Sequence, residues 1–403
     1  MSLTFISQQE RINEISLALS NQDLNRVSRR SLDLAYEFDY NKDIRQKALR
    51  LRASYNSSKE LGKSGNDNIE LLDSFSDLLQ DLISKEKEVT LNGDLEEVIC
   101  EAKQISKVYT SIRGSFTLAP IDLILERGKI VGLVGENGNG KTTLLRVLCG
   151  EISSSSGGLN FYEGERKIDT WEEIKENVAF IPQRTDRWWG TVEEQISFGA
   201  SIKGIYGKEN DEKTNFIIHR LGLTNFRFHS WSQLSSGYKL RVEIAKTLVW
   251  EPRVLILDEP LANLDLLAQE LLLQDLKDLA NSWKQPVSMI LTSQQLHEVE
   301  TIADQIIFLK NGKAIFNGGL DKLKNQDSFF TVELNGSFSY DELDTLLDSF
   351  SVKIEKTASG FTLNVPNVKS IKELQMKLIN SDFELSYFRN ITNSTKKLFS
   401  DKY

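Results

Sequence analysis

Hydrophobic and polar positions follow three successive patterns along the chain. Up to about residue 92, apolar side chains recur every three or four positions, the spacing of helices that bury one face. Asn21, Asn41 and Asn66 stand near the starts of these helices, where a side-chain oxygen can accept a hydrogen bond from a backbone N–H. The pattern predicts four helices in antiparallel pairs, followed by a charged linker that begins at Ser84.

From Leu95 the apolar positions alternate, and strand patterns and helix patterns then follow one another. Continuous apolar runs predict buried strands at Lys129–Val134 and Arg253–Asp258. A helical pattern follows each of them, the second at Leu264–Trp283. Strands that alternate with helices are typical of a doubly wound α/β fold with a parallel sheet.

The last pattern starts at about Ser328 and has the order β-α-β-β-α-β of a ferredoxin-like α+β fold. Its two helices are predicted at Tyr340–Phe350 and Ile371–Ile379. A chain of 403 residues is too long for one typical core. We therefore expect three domains: an all-α domain at 1–94, an α/β domain at 95–326 and a ferredoxin-like domain at 327–403.

The two flanking domains carry no group of residues that indicates catalysis. The N-terminal helices either stabilise the central domain by packing on it or act as a docking or regulatory module. The C-terminal domain is interpreted as a dimerisation or regulatory unit. Both interpretations stay open at the level of the sequence.

Composition limits the class of protein. The net charge of −9 argues against nucleic acid as the main partner. Cys100 and Cys149 lie in different predicted elements without metal-ligating neighbours, which favours two core thiols in a reducing compartment. No apolar stretch is long enough to span a bilayer, and no cationic and apolar leader opens the chain. We expect a cytoplasmic protein that meets a membrane only through a partner.

The segment Gly135–Thr143 carries the most specific chemical signal. It reads Gly-x-x-x-x-Gly-Lys-Thr between a buried strand and a helix, the pattern of a phosphate-binding loop. Glycines let backbone N–H groups approach a phosphate, and the helix N-terminus adds positive potential. Lys141 can reach the β- and γ-phosphates, and Thr142 offers a hydroxyl to Mg²⁺.

Two further pieces stand downstream of this loop. Asp258 and Glu259 follow a buried strand, where one acid can hold Mg²⁺ and the next can orient an attacking water. The alternative is a charged strand cap. Leu234–Tyr238 opens a helix with serine hydroxyls and a glycine, which is a second anion site or an ordinary helix cap.

In this order and spacing, the pieces resemble the nucleotide-binding subunit of an exporter-type ATP-binding-cassette (ABC) transporter, over residues 96 to 325. The resemblance implies a P-loop NTPase fold that binds ATP with Mg²⁺ and works as a head-to-tail dimer. It implies nucleotide contacts at the following residues, which match the family's motifs: Tyr109, Gly135, Asn137, Gly138, Asn139, Gly140, Lys141, Thr142, Thr143, Gln183, Ser235, Ser236, Gly237 and Asp265.

The resemblance also implies roles in catalysis and metal binding. The implied Mg²⁺ ligands are Thr142, Gln183 and Asp258, and the implied catalytic residues are Lys141, Glu259 and Gln294. The C-terminal fold and the closing segment from Phe388 look similar to tails of bacterial exporter-type cassettes.

Two departures from the family pattern bear on the ATPase. Ser236 and Tyr238 replace the glycine and glutamine of the usual Leu-Ser-Gly-Gly-Gln signature, while Ser235 and Gly237 remain. Gln294 stands where the family has a histidine, and glutamine cannot carry an imidazolium charge. His297 lies about one helical turn further and is a poor substitute. We expect ATP binding and dimer closure with slow hydrolysis.

The expected function is the ATPase subunit of a bacterial exporter, peripheral on the inner face of the membrane, as a homodimer or heterodimer. Trp188 and Trp189 follow Gln183 and either belong to the core or anchor the transmembrane partner. One alternative is a soluble ABC ATPase that acts outside transport. Another is a nucleotide-gated regulatory adaptor whose effector is the helical N-terminal domain, which could bind a further protein.

Overall fold

The computed structural model describes most of the chain, in these ranges: 8–38, 40–60, 66–84, 97–111, 114–282, 284–320, 329–350, 352–357, 360–366, 371–381 and 383–390. The predicted boundaries at 94/95 and 326/327, the linker after Ser84 and the closing segment beyond residue 390 lie outside the described residues. Two compact units are distinguished, Met1–Asp304 with Phe308–Ala314 and Gln305–Ile307 with Ile315–Tyr403. The division into three domains stays a prediction.

The N-terminal segment forms the four predicted helices: α1 (Gln8–Ser20), α2 (Leu24–Glu37), α3 (Lys42–Glu60) and α4 (Asn66–Ile83). Side chains cap the starts of two of these helices. Asp23 accepts a hydrogen bond from the N–H of Arg26 at the start of α2, and Asn41 accepts one from the N–H of Ile44 at the start of α3. The apolar faces meet in one buried cluster that includes Phe75. The helical spacing of apolar residues in this part of the sequence therefore corresponds to a core that the four helices share.

An antiparallel sheet follows, with strands β1 (Val98–Ser111), β2 (Gly114–Glu126), β4 (Ser156–Glu163) and β5 (Arg166–Ile168) in the order β2-β1-β4-β5. Cys100 lies on β1 and Cys149 follows the first helix of the α/β part, and both are buried free thiols. Burial raises the pKa of both thiols, to about 11 for Cys149. The interpretation as core thiols agrees with this placement.

A second sheet has six strands: β3 (Ile130–Val134), β6 (Val178–Ile181), β7 (Val254–Leu257), β8 (Ser288–Ser293), β9 (Gln305–Lys310) and β10 (Lys313–Gly319). Their order is β10-β9-β3-β8-β7-β6, and β3, β8, β7 and β6 pair in parallel. The carboxyl ends of these four strands therefore lie along one edge of the sheet. Ligands bind at this edge in open α/β sheets.

The helices of the α/β part are α5 (Lys141–Leu148), α6 (Trp171–Asn177), α7 (Val192–Ile202), α8 (Gly207–Arg220), α9 (Ser236–Leu248), α10 (Leu266–Ala280) and α11 (Leu296–Val299). Short 3₁₀ turns occupy Thr224–Phe226 and Trp231–Gln233. The predicted doubly wound α/β class is confirmed.

The C-terminal segment consists of β11 (Phe329–Gly336), α12 (Tyr340–Leu347), β12 (Lys353–Thr357), β13 (Gly360–Pro366), α13 (Ile371–Ile379) and β14 (Leu385–Asn390). The strand order is β12-β13-β11-β14 with antiparallel pairs throughout. The elements follow one another in the predicted order β-α-β-β-α-β, and the assignment to a ferredoxin-like domain stays a prediction. Among the described residues, no helix has the length and apolar character that crossing a bilayer requires.

Candidate functional site

The loop between β3 and α5 has the backbone that a phosphate-binding loop needs. Gly140 caps α5 with φ of 98°, a left-handed conformation that favours glycine. A Cβ atom on Gly140 would also lie 2.8 Å from the Phe116 ring. Asn139 is buried, and its Oδ1 accepts a hydrogen bond from the N–H of Asn311 at 2.8 Å. The loop is thus held in a fixed conformation from two sides.

Asp258 lies directly beyond the end of β7 and is buried among hydroxyl groups. Its Oδ2 accepts a hydrogen bond from Thr142 Oγ1 at 2.8 Å, and its Oδ1 accepts one from Thr292 Oγ1, also at 2.8 Å. The backbone N–H of Glu259 in turn donates to Thr292 Oγ1 at 2.7 Å. Thr292 therefore fixes both carboxylate residues from the neighbouring strand β8.

The sequence reasoning missed Thr292. The signal that could have found it is a hydroxyl side chain one residue before the end of the parallel strand β8, directly after the apolar run Met289–Leu291. Because β7 and β8 are neighbours, such a side chain faces the residues that follow β7.

Three donors converge on the carboxylate of Glu259. Lys141 Nζ lies 3.1 Å from Oε1, and the amide groups of Gln183 and Gln294 donate to Oε2 at 2.7 and 2.8 Å. Lys141 is the first residue of α5, which follows β3, and each glutamine follows a different strand of the same sheet. Lys141, Gln183 and Gln294 thus meet at the carboxylate of Glu259, although they lie far apart in the sequence.

A second group of predicted residues surrounds the start of α9. Ser235 caps this helix by accepting a hydrogen bond from the N–H of Tyr238, and Ser236 Oγ donates to the carbonyl of Asn263 at 3.0 Å. Asp265 caps α10 by accepting a hydrogen bond from the N–H of Ala268 at 2.9 Å. The signature segment and the Asp265 segment are therefore adjacent. In the part of the chain that the structure describes, no hydrogen bond or ion pair joins Ser235, Ser236 or Asp265 to Gly135–Thr143.

Tyr109 lies near the end of β1 and is 40% exposed, so its ring is open to solvent. Its centroid is 6.5 Å from that of Phe116, the ring that crowds Gly140. Lys107 Nζ lies 5.4 Å from the Tyr109 centroid. The exposed ring of Tyr109 therefore lies on the same side of the phosphate loop as Phe116. His297 lies on α11 and is exposed.

Known proteins are similar to this chain in sequence. A family model described as "ABC transporter" matches residues 118–262, which include the phosphate loop and the Asp258–Glu259 pair. The "Phosphonates import ATP-binding protein PhnC" of Treponema denticola is 30% identical over 246 residues, which cover 57% of this chain and 93% of the relative. The chain belongs to the ABC transporter family. ABC transporter relatives also include the "Uncharacterized ABC transporter ATP-binding protein YxlF" of Bacillus subtilis, 26% identical over 301 residues that cover 73% of this chain and 97% of the relative.

A solved ABC transporter component has a similar fold. The structure of cbiO1 from Clostridium perfringens, described as part of the ABC transporter complex cbiONQ, has a TM-score of 0.51 and 26% sequence identity. It covers 57% of this chain and 92% of its own length. The predicted fold, an ABC cassette of the P-loop NTPase class, is confirmed.

Proposed function

We propose that this chain is the ATP-binding and hydrolysing subunit of a bacterial ABC transporter, of the exporter type, which drives separate transmembrane subunits by ATP-dependent dimerisation. The observation that carries the proposal is the convergence of Lys141, Gln183 and Gln294 on Glu259, next to the Thr142–Asp258 pair. A structural salt bridge needs one cation, whereas this arrangement brings three residues, which follow β3, β6 and β8, to one carboxylate that follows β7.

The phosphate loop binds the triphosphate in this proposal. The backbone N–H groups of Gly135, Asn137, Gly138, Asn139, Gly140 and Thr143 surround the phosphates, and Tyr109 stacks on the adenine. Lys141 exchanges Glu259 for the β- and γ-phosphates, since an ammonium group binds the more highly charged partner.

The oxygen donors near Thr142 fit Mg²⁺. The Thr142 hydroxyl and the Asp258 carboxylate stand 2.8 Å apart, and hard oxygen ligands of this kind suit Mg²⁺. Gln183 is the third residue that we assign to the metal. Held by these residues, Mg²⁺ would supply positive charge next to the phosphate oxygens.

Glu259 is the residue that we assign to the attacking water. Its N–H is fixed by Thr292, and its carboxylate accepts a proton or orients the water once a donor gives way to that water. Gln294 donates to the same carboxylate oxygen as Gln183 and supplies a hydrogen bond without an imidazolium charge. We therefore propose slow hydrolysis.

Closure needs a second copy of the chain or a related partner. Ser235, Ser236 and Gly237 stand at the N-terminus of α9, where a γ-phosphate bound to the other subunit is stabilised by hydroxyl groups and the helix dipole. Asp265 lies next to them at the start of α10 and faces the same partner in this proposal.

The substitution Glu259→Gln tests the proposal. We expect the variant to bind Mg²⁺-ATP, to release no phosphate and to accumulate as an ATP-bound dimer on a sizing column. Glu172→Gln, at an exposed glutamate on α6, is the matched control and should hydrolyse ATP like the parent. A Glu259→Gln protein that hydrolyses ATP at the parental rate, or that stays monomeric with ATP, contradicts the proposal.

A nucleotide-gated regulatory adaptor is the second candidate, and the position of Gln294 favours it because a slow ATPase suits a switch. A soluble ABC ATPase outside transport is a third. Purification from detergent-solubilised membranes separates these functions: a polytopic partner supports the transporter, peripheral on the inner face of the membrane, and a soluble partner supports the adaptor.

A further inference from the structure

The N-terminal helices contact the α/β part through buried charged side chains. Arg29 on α2 forms ion pairs with Asp275 at 2.7 Å and with Asp278 at 2.9 Å, both on α10. Arg220 on α8 forms an ion pair with Asp33 of α2 at 2.8 Å. Removing one partner of a buried ion pair leaves an uncompensated charge, so these contacts hold α2 in a defined place.

Asp275 extends the first of these contacts to α9. While its Oδ1 pairs with Arg29, its Oδ2 accepts from Arg241 at 3.1 Å. Arg241 lies on α9, three residues after Tyr238, and also donates to the carbonyl of Leu221 at 2.9 Å. A single carboxylate thus connects the N-terminal helices to the first turns of the signature helix.

A second connection runs from α3 through the 3₁₀ turn Thr224–Phe226. Asn56 donates to Thr224 Oγ1 and Ser57 donates to Asn225 Oδ1, both at 3.2 Å. The ring of Phe226, in the same turn, stacks against the ring of Tyr238 with centroids 3.9 Å apart. Tyr238 is the residue that departs from the family's glutamine, and its ring here meets a turn that α3 holds.

The two connections border a common open cleft of about 420 Å³. Asn25, Tyr55 and Asn56 of the N-terminal helices line it together with Ser235–Tyr238 and Asn263–Asp265. The N-terminal helices therefore reach the signature segment itself and do not only pack on the back of the α/β part.

We propose that α2 and α3 position the signature helix α9, through Arg241 and Tyr238 as positioning residues, and thereby set how readily two ATP-loaded subunits close on each other. The inference rests on the proposed function, in which Ser235–Gly237 meets the nucleotide of the second subunit. ATP binding to the phosphate loop of one subunit does not depend on these contacts, because Gly135–Thr143 makes its contacts elsewhere.

The test measures two quantities in the Glu259→Gln background: the affinity of the monomer for Mg²⁺-ATP, and the ATP concentration at which half of the protein is dimeric. Arg241→Met removes the charge at similar volume, and Tyr238→Leu removes the stacking ring. For each we expect unchanged monomer affinity and about a tenfold rise in the ATP concentration needed for dimerisation. Tyr238→Phe keeps the ring and should restore the dimerisation of the parent.

The controls separate positioning from general stability. Lys47→Met removes the Lys47–Asp81 ion pair, which lies within the N-terminal helices with both side chains partly exposed, and should leave both quantities unchanged. If Arg241→Met does not fold, Arg241→Lys retains the cation but lacks the planar guanidinium group of arginine, and an intermediate rise is expected.

The outcomes distinguish this inference from the proposed function. A Glu259→Gln parent that fails to dimerise with ATP overturns the proposed function and this inference with it. A parent that dimerises while Arg241→Met or Arg241→Lys and Tyr238→Leu dimerise at the same ATP concentration overturns the inference alone. Equal losses in ATP affinity and dimerisation also overturn it, since they indicate a general structural defect.

Discussion

Glu259 lies one residue beyond Asp258 and adopts a left-handed backbone with φ of 48°. A non-glycine residue in this region is strained by about 1–3 kcal/mol and persists where its surroundings fix it. Here the hydrogen bond from its N–H to Thr292 Oγ1 supplies part of that fixation. The strained backbone directs the carboxylate towards Lys141, Gln183 and Gln294, which is the arrangement on which the proposed ATPase depends.

The variant Gln294→His tests the proposal that Gln294 makes ATP hydrolysis slow. Gln294 already reaches Glu259 Oε2 at 2.8 Å, so an imidazole at this position can make the same hydrogen bond and add a positive charge near the γ-phosphate. We expect the rate of phosphate release to rise by about tenfold or more, with little change in ATP affinity. The measurement is steady-state phosphate release at saturating Mg²⁺-ATP.

His297 provides the matched control, because it is exposed on α11. His297→Gln should leave the rate unchanged. An equal or lower rate in Gln294→His would show that the glutamine is not what limits turnover.

Helix α2 ends at Glu37, a half-buried residue with one carboxylate oxygen fully removed from water. Glu37 Oε1 accepts a hydrogen bond from Ser282 at 2.7 Å, while its Oε2 atom is buried and meets no donor among the described residues. Desolvation, together with the nearby charge of Asp33, raises the pKa of Glu37 to about 7. The folded state therefore binds this proton more tightly than the unfolded state does.

The raised pKa of Glu37 predicts a pH dependence of stability. The stabilisation is complete below the unfolded pKa near 4.5 and is lost as the pH rises through about 7. Glu37→Gln, which is neutral at every pH, should remove a decline on the order of 1–3 kcal/mol in the free energy of unfolding between these values. Urea unfolding at a series of pH values measures it.

The comparison with the parent isolates Glu37, because the other titrating groups are common to both proteins. Glu70→Gln, at an exposed glutamate on α4, is the control and should keep the parental pH dependence. If Glu37→Gln loses stability with rising pH as steeply as the parent does, Glu37 is charged in the folded protein and the prediction is wrong.

Exposed apolar side chains occur in the segment after Gln183 and on the helix α7 that follows it. Trp189 is 85% exposed, and Phe198 and Ile202 on α7 are also exposed. Trp188 is instead half-buried, with Lys246 Nζ 3.3 Å from its ring centroid. The two tryptophans, which the sequence could not distinguish, therefore differ: Trp189 is exposed, with the Arg187 guanidinium 5.7 Å from its ring centroid, and Trp188 is partly covered.

Trp189→Ala tests this surface as the contact with a transmembrane partner. An exposed tryptophan at the centre of an interface often carries about 2 kcal/mol or more of binding energy. We expect the variant to lose most of its recovery with detergent-solubilised membranes, while ATP affinity and thermal stability stay at the parental level. Phe228→Ala removes another aromatic side chain, 75% exposed, and should not change recovery. Unchanged recovery of Trp189→Ala would place the partner elsewhere.

The helices, the strands and the motifs that are continuous in the chain could be predicted from the sequence alone. The phosphate loop, the Asp258–Glu259 pair and the cap of α9 were readable because each depends on neighbouring residues and on local backbone preferences. The order of the C-terminal elements was readable for the same reason.

Which side chains from distant parts of the sequence come into contact could be seen only in the folded chain. Thr292 joins Asp258 to Glu259 because β7 and β8 are neighbours in the sheet, and strand order leaves no local trace in the sequence. The contact from Arg29 through Asp275 to Arg241 is of the same kind. Any arginine can pair with any aspartate, so the path of the folded backbone alone selects these three and brings the N-terminal helices to the signature segment.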